Sequence, residues 1–266
     1  MGEQKVEIAC DINKTKERKA NLEKLYRENW YKNNTCKYFD ECRQGKALQD
    51  FWTCFDYSAR VGDNYDLYFD DLPVRILFLG KEPKAQEPLH KLDVPTRWWP
   101  SINRHYLVTF NTLKDMLSYY PTKESSINDA VLTMFTLSNL YSCSFRNYDG
   151  QFSNIPNTTQ QLSNCLLLRK QELRILEPTV VIIQNDNIKA SYLFDDAVLK
   201  FERKYGNVYY SAKDFPCYII KTSHPCCRTH PWKADLNACI NHLKKIKVLP
   251  TGDYCEITDK LNALFE

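Results

Sequence analysis

The sequence predicts an α/β fold, a three-layer α/β/α sandwich around a central four-stranded, mainly parallel sheet. Three observations carry that expectation. Four short apolar runs recur along the chain, each of strand length and rich in branched or aromatic residues. Each run is nearly continuous rather than alternating, as in a strand buried on both faces. Amphipathic stretches of helix length separate them, and a repeating β-α order places helices on both sides of such a sheet.

Residues 13–32 read as a helix, because Leu22, Leu25, Tyr26 and Trp30 fall on one face with Lys and Glu on the other. Residues 35–71 hold Cys36, Cys42 and Cys54 among polar and aromatic residues without a sustained period, and read as irregular. The expected strands are 74–79 (VRILFL), 131–137 (VLTMFTL), 179–183 (TVVII) and 216–220 (PCYII). Helices are expected over 105–119, 160–176 and 188–201, with one more over 235–246 after the last strand. No repeat, low-complexity tract or linker divides the chain. It reads as one domain over 1–266: a helical, cysteine-containing lead-in over 1–71, an α/β core over 72–248, and a C-terminal extension over 249–266.

The chain has 266 residues, 36 basic against 33 acidic side chains, 11 cysteines and 7 glycines. That near balance of charge excludes a polycation that coats nucleic acid indiscriminately, and leaves room for one basic face. Scarce glycine argues against Gly-rich nucleotide loops and flexible linkers. No apolar run approaches the ~18 residues of a membrane span, and the first twenty residues hold no secretory signal. The expectation is a soluble, cytoplasmic protein, where disulfides are rare and clustered thiols bind metal or react.

In open parallel sheets the ligand site lies beyond the carboxyl ends of the strands. Here the strands are followed by Gly80-Lys81-Glu82-Pro83, Ser138-Asn139, Gln184-Asn185-Asp186 and Thr222-Ser223-His224-Pro225. A carboxylate can orient water, a carboxamide can read a donor–acceptor edge, and an imidazole can stabilise a departing anion. Such residues are also ordinary turn formers, so the ordered set carries the argument. Residues 221–247 contain six Lys or Arg against one acidic residue, Asp235. Residues 97–114 have three basic residues and no acidic one, interleaved with Trp98, Trp99, His105 and Tyr106. Basic groups neutralise phosphates and aromatic rings stack on unpaired bases, although a solvated helix end accounts equally for Lys244, Lys245 and Lys247. Cys217 and Cys239 read as packing residues. Cys226-Cys227 beside His224 has the composition of a thiol nucleophile with its base.

Over roughly residues 36–246 these motifs resemble the uracil-DNA glycosylase superfamily. LFLGKEP resembles the motif closing that family's first strand, with Glu82 where some members carry a water-activating aspartate. Asn139 in LSNLYSC matches the base-recognising Asn, and SHPCCR resembles the family's His-Pro-Ser motif with Cys226 in place of serine. The stretch from NLYSC through NCLLLRKQELRILEPTVVII is similar to the iron–sulfur branch, in which cysteines matching Cys143 and Cys165 join an upstream pair. Cys36 and Cys42 supply that pair here, with Cys54 as a competitor.

The resemblance implies a monofunctional glycosylase that hydrolyses the N-glycosidic bond of a flipped-out uracil or modified pyrimidine and leaves an abasic site. It implies Glu82, His224 and Asn139 as catalytic residues, and a base pocket of Gly80, Lys81, Pro83, Trp98 and Trp99. Arg228, Ser223 and Lys233 would contact DNA, duplex or single-stranded, with no membrane and no obligate protein partner. Cys36, Cys42, Cys143 and Cys165 would hold a [4Fe-4S] cluster; zinc also takes four thiolates. The sequence departs from the family at Gln184, where relatives have Gly, at Lys84-Ala85-Gln86, and across residues 87–105. These departures surround the base pocket and point to a larger base, such as a hypermodified cytosine of viral DNA. The other readings are a base-binding module without turnover and a protein whose function is the cysteine cluster itself.

Overall fold

The computed structural model describes residues 6–32, 35–43, 51–53, 59–80, 104–120, 133–141, 143–145, 159–225, 227 and 231–265. The chain begins with β1 (Ile8–Cys10) and α1 (Ile12–Lys24), which continues as a π-helical turn over Leu25–Trp30. Short elements follow: β2 (Tyr31–Lys32), β3 (Thr35–Cys36), α2 (Phe39–Arg43), β4 (Phe51–Thr53), β5 (Arg60–Val61), β6 (Leu67–Phe69) and β7 (Leu72–Val74). The core comprises β8 (Ile76–Gly80), α3 (Arg104–Leu117), β9 (Phe135–Asn139), β10 (Cys143–Phe145), α4 (Thr159–Leu176) and β11 (Val180–Gln184). It continues through α5 (Ala190–Leu193), β12 (Val198–Arg203), β13 (Gly206–Ser211), β14 (Cys217–Thr222), α6 (Trp232–Lys245) and α7 (Tyr254–Phe265).

The four expected strands correspond to β8, β9, β11 and β14, each starting later and ending one or two residues further on than expected, with β9 beginning at Phe135 rather than at 131. They pair in parallel in the order β9-β8-β11-β14. Every residue of β8 and β11 is buried, which is why their sequences do not alternate. The sheet is larger than the expected four strands. Antiparallel β5 pairs with β9 at one side, and antiparallel β13 and β12 extend the other, giving seven strands.

The expected helix over 188–201 is also corrected: only α5 is helical, and β12 turns through Lys204 and Tyr205 into β13. Tertiary contacts decide this hairpin. Phe201 stacks on His242 of α6 with ring centroids 4.6 Å apart, and the Tyr205 amide donates to Asp235 Oδ2 at 2.8 Å. Periodicity over VLKFER contains neither contact.

Side chains alternate between two helical layers. Ile76, Phe78, Val180, Ile182 and Ile220 share a core with α3, α6 and α7. Leu77, Leu79, Val181, Ile183 and Ile219 pack on the opposite face with α1, its π-helical turn, α4 and α5. The three layers are therefore present. The N-terminal lead-in is divided between the layers: β1 and β6 pack on the first core, while α1 and its π-helical turn join the second, where buried Arg18 bonds Asp66 at 3.1 Å and Glu177 at 3.0 Å. The C-terminal segment contributes Ile257 and Leu261 of α7 to the first core. Among the described residues, no helix is long and apolar enough to cross a membrane.

Candidate functional site

The carboxyl ends of the parallel strands form one polar row. Gly80 lies opposite Asn139, and Gln184 opposite Thr222, in adjacent strand pairs. Strand alternation turns all four toward the layer of α3, α6 and α7, because each lies two residues beyond a member of that layer's core or its packed margin. At ~4.8 Å per strand, the row from Asn139 to Thr222 spans ~14 Å. In the sheet, β9 lies on one side of β8, while β14 lies on the far side of β11. The chain thus leaves β8 and β11 in opposite directions, and the crevice between Gly80 and Gln184 is the topological switch point where open α/β sheets bind ligands.

Asn139 is half-buried, and its carboxamide lies across Gly80: a Cβ at position 80 would collide with Asn139 Oδ1. The Leu140 amide donates to the Gly80 carbonyl at 2.8 Å, extending the contact between these strand ends. Gln184 fills the other side of the crevice. Its Nε2 donates to Thr109 Oγ1 of α3 at 2.8 Å, while its buried Oε1 has no hydrogen-bond partner among the described residues. The buried Thr222 hydroxyl is likewise unpartnered among the described residues. Side-chain oxygens left unmatched under a strand-end crevice are places for water or ligand donors.

Beyond β14, Ser223 is buried and its hydroxyl donates to Asp186 Oδ1 at 2.8 Å, joining the loops after β11 and β14. That bond directs the hydroxyl to a neighbouring loop as well as limiting its use as a phosphate contact. His224 is half-buried, and its carbonyl accepts from the Cys227 amide at 2.8 Å. Trp232 Nε1 donates to the Cys227 carbonyl at 3.2 Å, anchoring this turn to the first residue of α6. Lys233 is exposed on the first turn of α6. Lys244 is not a freely solvated helix end: its Nζ donates to the Asp115 carbonyl at 2.6 Å and Ser118 Oγ at 2.8 Å, and burial lowers its pKa.

A second group of functional interest lies behind the row, on the opposite face of β9. Buried Arg169 of α4 donates through Nε to the Leu140 carbonyl at 3.3 Å and through Nη1 to Ser138 Oγ at 3.2 Å. It also pairs with buried Glu172. Ser138 Oγ donates to Glu172 Oε2 at 3.2 Å, and Tyr26 OH donates to Glu172 Oε1 at 2.6 Å. The Ala59 amide then donates to the Tyr26 oxygen at 2.8 Å. Burial, with Glu172 adding to it, pushes the Tyr26 hydroxyl well above its usual range and keeps it protonated as a donor. Sequence reasoning named Ser138 as a strand-end residue and Tyr26 as a packing residue but missed Arg169 and Glu172, which join them. The available signal was Glu172 on the buried stripe of α4 with Cys165, Leu168 and Leu176, where an unpaired carboxylate would be costly.

Three of the expected metal ligands share a neighbourhood on this layer. Cys36 ends β3, Cys42 lies on α2, and Cys165 lies on α4, against which α2 packs. Asn164 Nδ2 donates to Cys42 Sγ at 3.5 Å. Burial pushes the Cys36 thiol up to about 11, with Cys165 and Cys42 adding to the shift. Burial raises Cys42 as well, again with Cys165 contributing. The backbone of Cys143 pairs with Thr53 in the β10–β4 ladder. Soft sulfur donors in an apolar setting suit a thiolate-bound centre chemically. Among the described residues, however, no group of three or more His, Cys, Asp or Glu has the arrangement to hold a metal ion.

Lys81, Glu82, Pro83, Trp98, Trp99 and Arg228 lie outside the described residues, as do Cys54 and Cys226; Cys143 is described through its backbone alone. The structure therefore brings together Gly80 and Asn139 at adjacent strand ends, while His224 lies apart from them in the loop that follows β14, on the far side of β11. It separately gathers Cys36, Cys42 and Cys165. The chain matches no protein-family model, and no curated protein sequence matches it.

Proposed function

We propose that the protein is a DNA glycosylase of the uracil-DNA glycosylase type, acting on a flipped-out uracil or modified pyrimidine. The observation supporting this reading is the Asn139 carboxamide laid across Gly80 at the switch-point crevice. A carboxamide offers both a donor and an acceptor to a base edge. The glycine beneath it leaves room that any side chain would occupy. The motifs that resemble the superfamily supply the chemistry around that amide.

In the proposed reaction the base leaves the stack, at a cost of about a few kcal/mol, and enters the crevice. Water attacks the sugar C1′ as the C1′–N bond breaks, with the bonding electrons leaving on the base. Glu82 orients the water, takes its proton, and stabilises positive charge on the sugar. An N–H of His224 donates to a carbonyl oxygen of the departing base and stabilises its negative charge. Asn139 holds the base edge throughout. The products are free base and an abasic site.

Cys36, Cys42, Cys143 and Cys165 would hold the [4Fe-4S] cluster, or zinc in its place. Such a centre would supply a cross-link among the short N-terminal elements, β10 and α4. Arg228 and Lys233 would contact DNA phosphates. The test is mass spectrometry of bases released from DNAs carrying uracil, methylated, hydroxymethylated or glucosylated pyrimidines. Release from one of them, abolished by Glu82→Gln and slowed by Asn139→Ala, is expected. Retention of every base by folded protein overturns the reading, and binding without release identifies a binding module.

A further inference from the structure

The buried charge network behind β9 has a geometry that ordinary core packing does not require. Ser138 and Leu140 are the two chain neighbours of Asn139, and one guanidinium grips both: Arg169 bonds the Ser138 hydroxyl and the Leu140 carbonyl. Glu172 fixes Arg169 and also accepts from Ser138. Tyr26 fixes Glu172 from the π-helical turn, and is itself held by the Ala59 amide. All of these contacts reach β9 from the face opposite the carboxamide, because successive residues of a strand point to opposite sides.

Stability alone does not account for this arrangement. Burying an ion pair carries a desolvation penalty, and well-packed apolar side chains of similar volume often stabilise a protein at least as well. What apolar groups lack is direction. Hydrogen bonds to both neighbours of Asn139 fix the strand end in translation and rotation, and so fix where its carboxamide lies over Gly80.

We propose that Glu172, Arg169 and Ser138 form a positioning unit for Asn139. They act through the backbone on either side of it rather than by touching the ligand. This deepens the glycosylase reading and rests on it for the role of Asn139. It also makes the proposed site two-sided. The base is read on one face of the sheet, while the accuracy of that reading is set from the other by helix α4.

Ser138→Ala tests the unit, since it removes both bonds at the Ser138 hydroxyl while leaving the Arg169–Glu172 pair and the Arg169 bond to the Leu140 carbonyl. The expected result is base release slowed about tenfold, the weight of one to two hydrogen bonds, with KM changed much less than kcat. Ser138→Thr, which keeps the hydroxyl, restores the rate. In an Asn139→Ala background, Ser138→Ala has no further effect, because a positioning residue has nothing left to position. Multiplicative losses in the double variant, or full activity of Ser138→Ala, overturn the proposal.

Hydrogen exchange gives a readout independent of turnover. The Leu140 amide, bonded to Gly80 in the native protein, exchanges about tenfold faster in Ser138→Ala, while Val181 in β11 is unchanged. Uniform acceleration across the sheet indicates a merely structural role and overturns the proposal. If no base is released from any DNA, the glycosylase reading fails, and local exchange at Leu140 still decides the positioning. Should Ser138→Ala not fold, Tyr26→Phe removes the outer bond to Glu172 and must give the same local pattern.

Discussion

Replacing Gly80 by alanine separates room for the Asn139 carboxamide from stability of the sheet. The added methyl meets Asn139 Oδ1, whereas the next nearest atoms, Asn139 Cγ at 3.6 Å and the Ser138 carbonyl oxygen at 3.8 Å, lie at ordinary contact distance. Gly80 also lies outside the left-handed backbone region, so alanine can take its conformation. Only the end of one side chain must move. Losing glycine's unfolded-state freedom stabilises by ~0.4–1 kcal/mol, and pushing the carboxamide off its rotamer costs ~0.5–1.5 kcal/mol. The two nearly cancel, leaving stability within about 1 kcal/mol of wild type, or ~2–4 °C in melting temperature. Function responds differently, because a displacement of about 1 Å in a positioned group can cost ~100-fold in rate. Calorimetry and single-turnover base release, measured beside Asn139→Ala, should find Gly80→Ala as stable as wild type and as slow as the asparagine variant. Wild-type release from a folded Gly80→Ala protein refutes the steric argument. A stability loss above about 3 kcal/mol also refutes it, since overpacking of that size means the backbone gave way instead of the side chain.

The thiols give a pH dependence of defined sign. Folding raises Cys36 from 9.0 to about 11, so the folded state holds that proton more tightly. Its contribution is complete below about pH 9 and is lost as pH rises through about 11. Metal-free protein should show this in urea melts, with iodoacetamide modifying exposed Cys255 well before Cys36; equal rates at pH 8 contradict the burial. Protein purified without oxygen should carry iron and acid-labile sulfide that Cys165→Ser loses; zinc in their place selects the alternative metal, and neither removes the metal centre. Arg169→Met should destabilise by ~3–5 kcal/mol, because it strands Glu172 in the core, and a loss below about 1 kcal/mol in chemical denaturation would show that the carboxylate finds water. Lys247→Gly should raise the melting temperature by a few degrees: Lys247 has φ 59°, exposed after α6, where a non-glycine residue costs ~1–2 kcal/mol. An unchanged or lower midpoint counts against strain there.

The parallel core was legible because burial on both faces leaves an unmistakable pattern: VRILFL and TVVII are apolar without alternation, and β8 and β11 are buried throughout. The residues that follow the expected strands include Gly80, Asn139, Gln184 and Thr222, which in the structure close β8, β9, β11 and β14 at one edge. The edge strands were less legible. Phe201 and Tyr205 owe their places to His242 and Asp235, more than 25 positions along the chain, and a local window contains neither partner. The network behind Asn139 is still less local, since Tyr26 and Glu172 are 146 residues apart. Charged residues on a helix ordinarily imply solvent, and only the tertiary structure turns Arg169 and Glu172 inward.

Glycine usage sharpens the distinction between shape and space at the proposed site. The chain has few glycines, and left-handed positions at the ends of α3, α4 and α6 are filled by Ser118, Glu177 and Lys247. Glycine would fit all three without penalty. Backbone conformation alone therefore does not dictate where this chain places glycine. At Gly80 the conformation is ordinary, and the requirement is for the space that the Asn139 carboxamide oxygen occupies. Packing of the sheet does not require that space, since the other atoms near a Cβ at position 80 lie at ordinary contact distance. A site that must hold the Asn139 carboxamide over Gly80, beside the switch point, needs that space, and Ser138 and Leu140 on either side are fastened so that the carboxamide stays there.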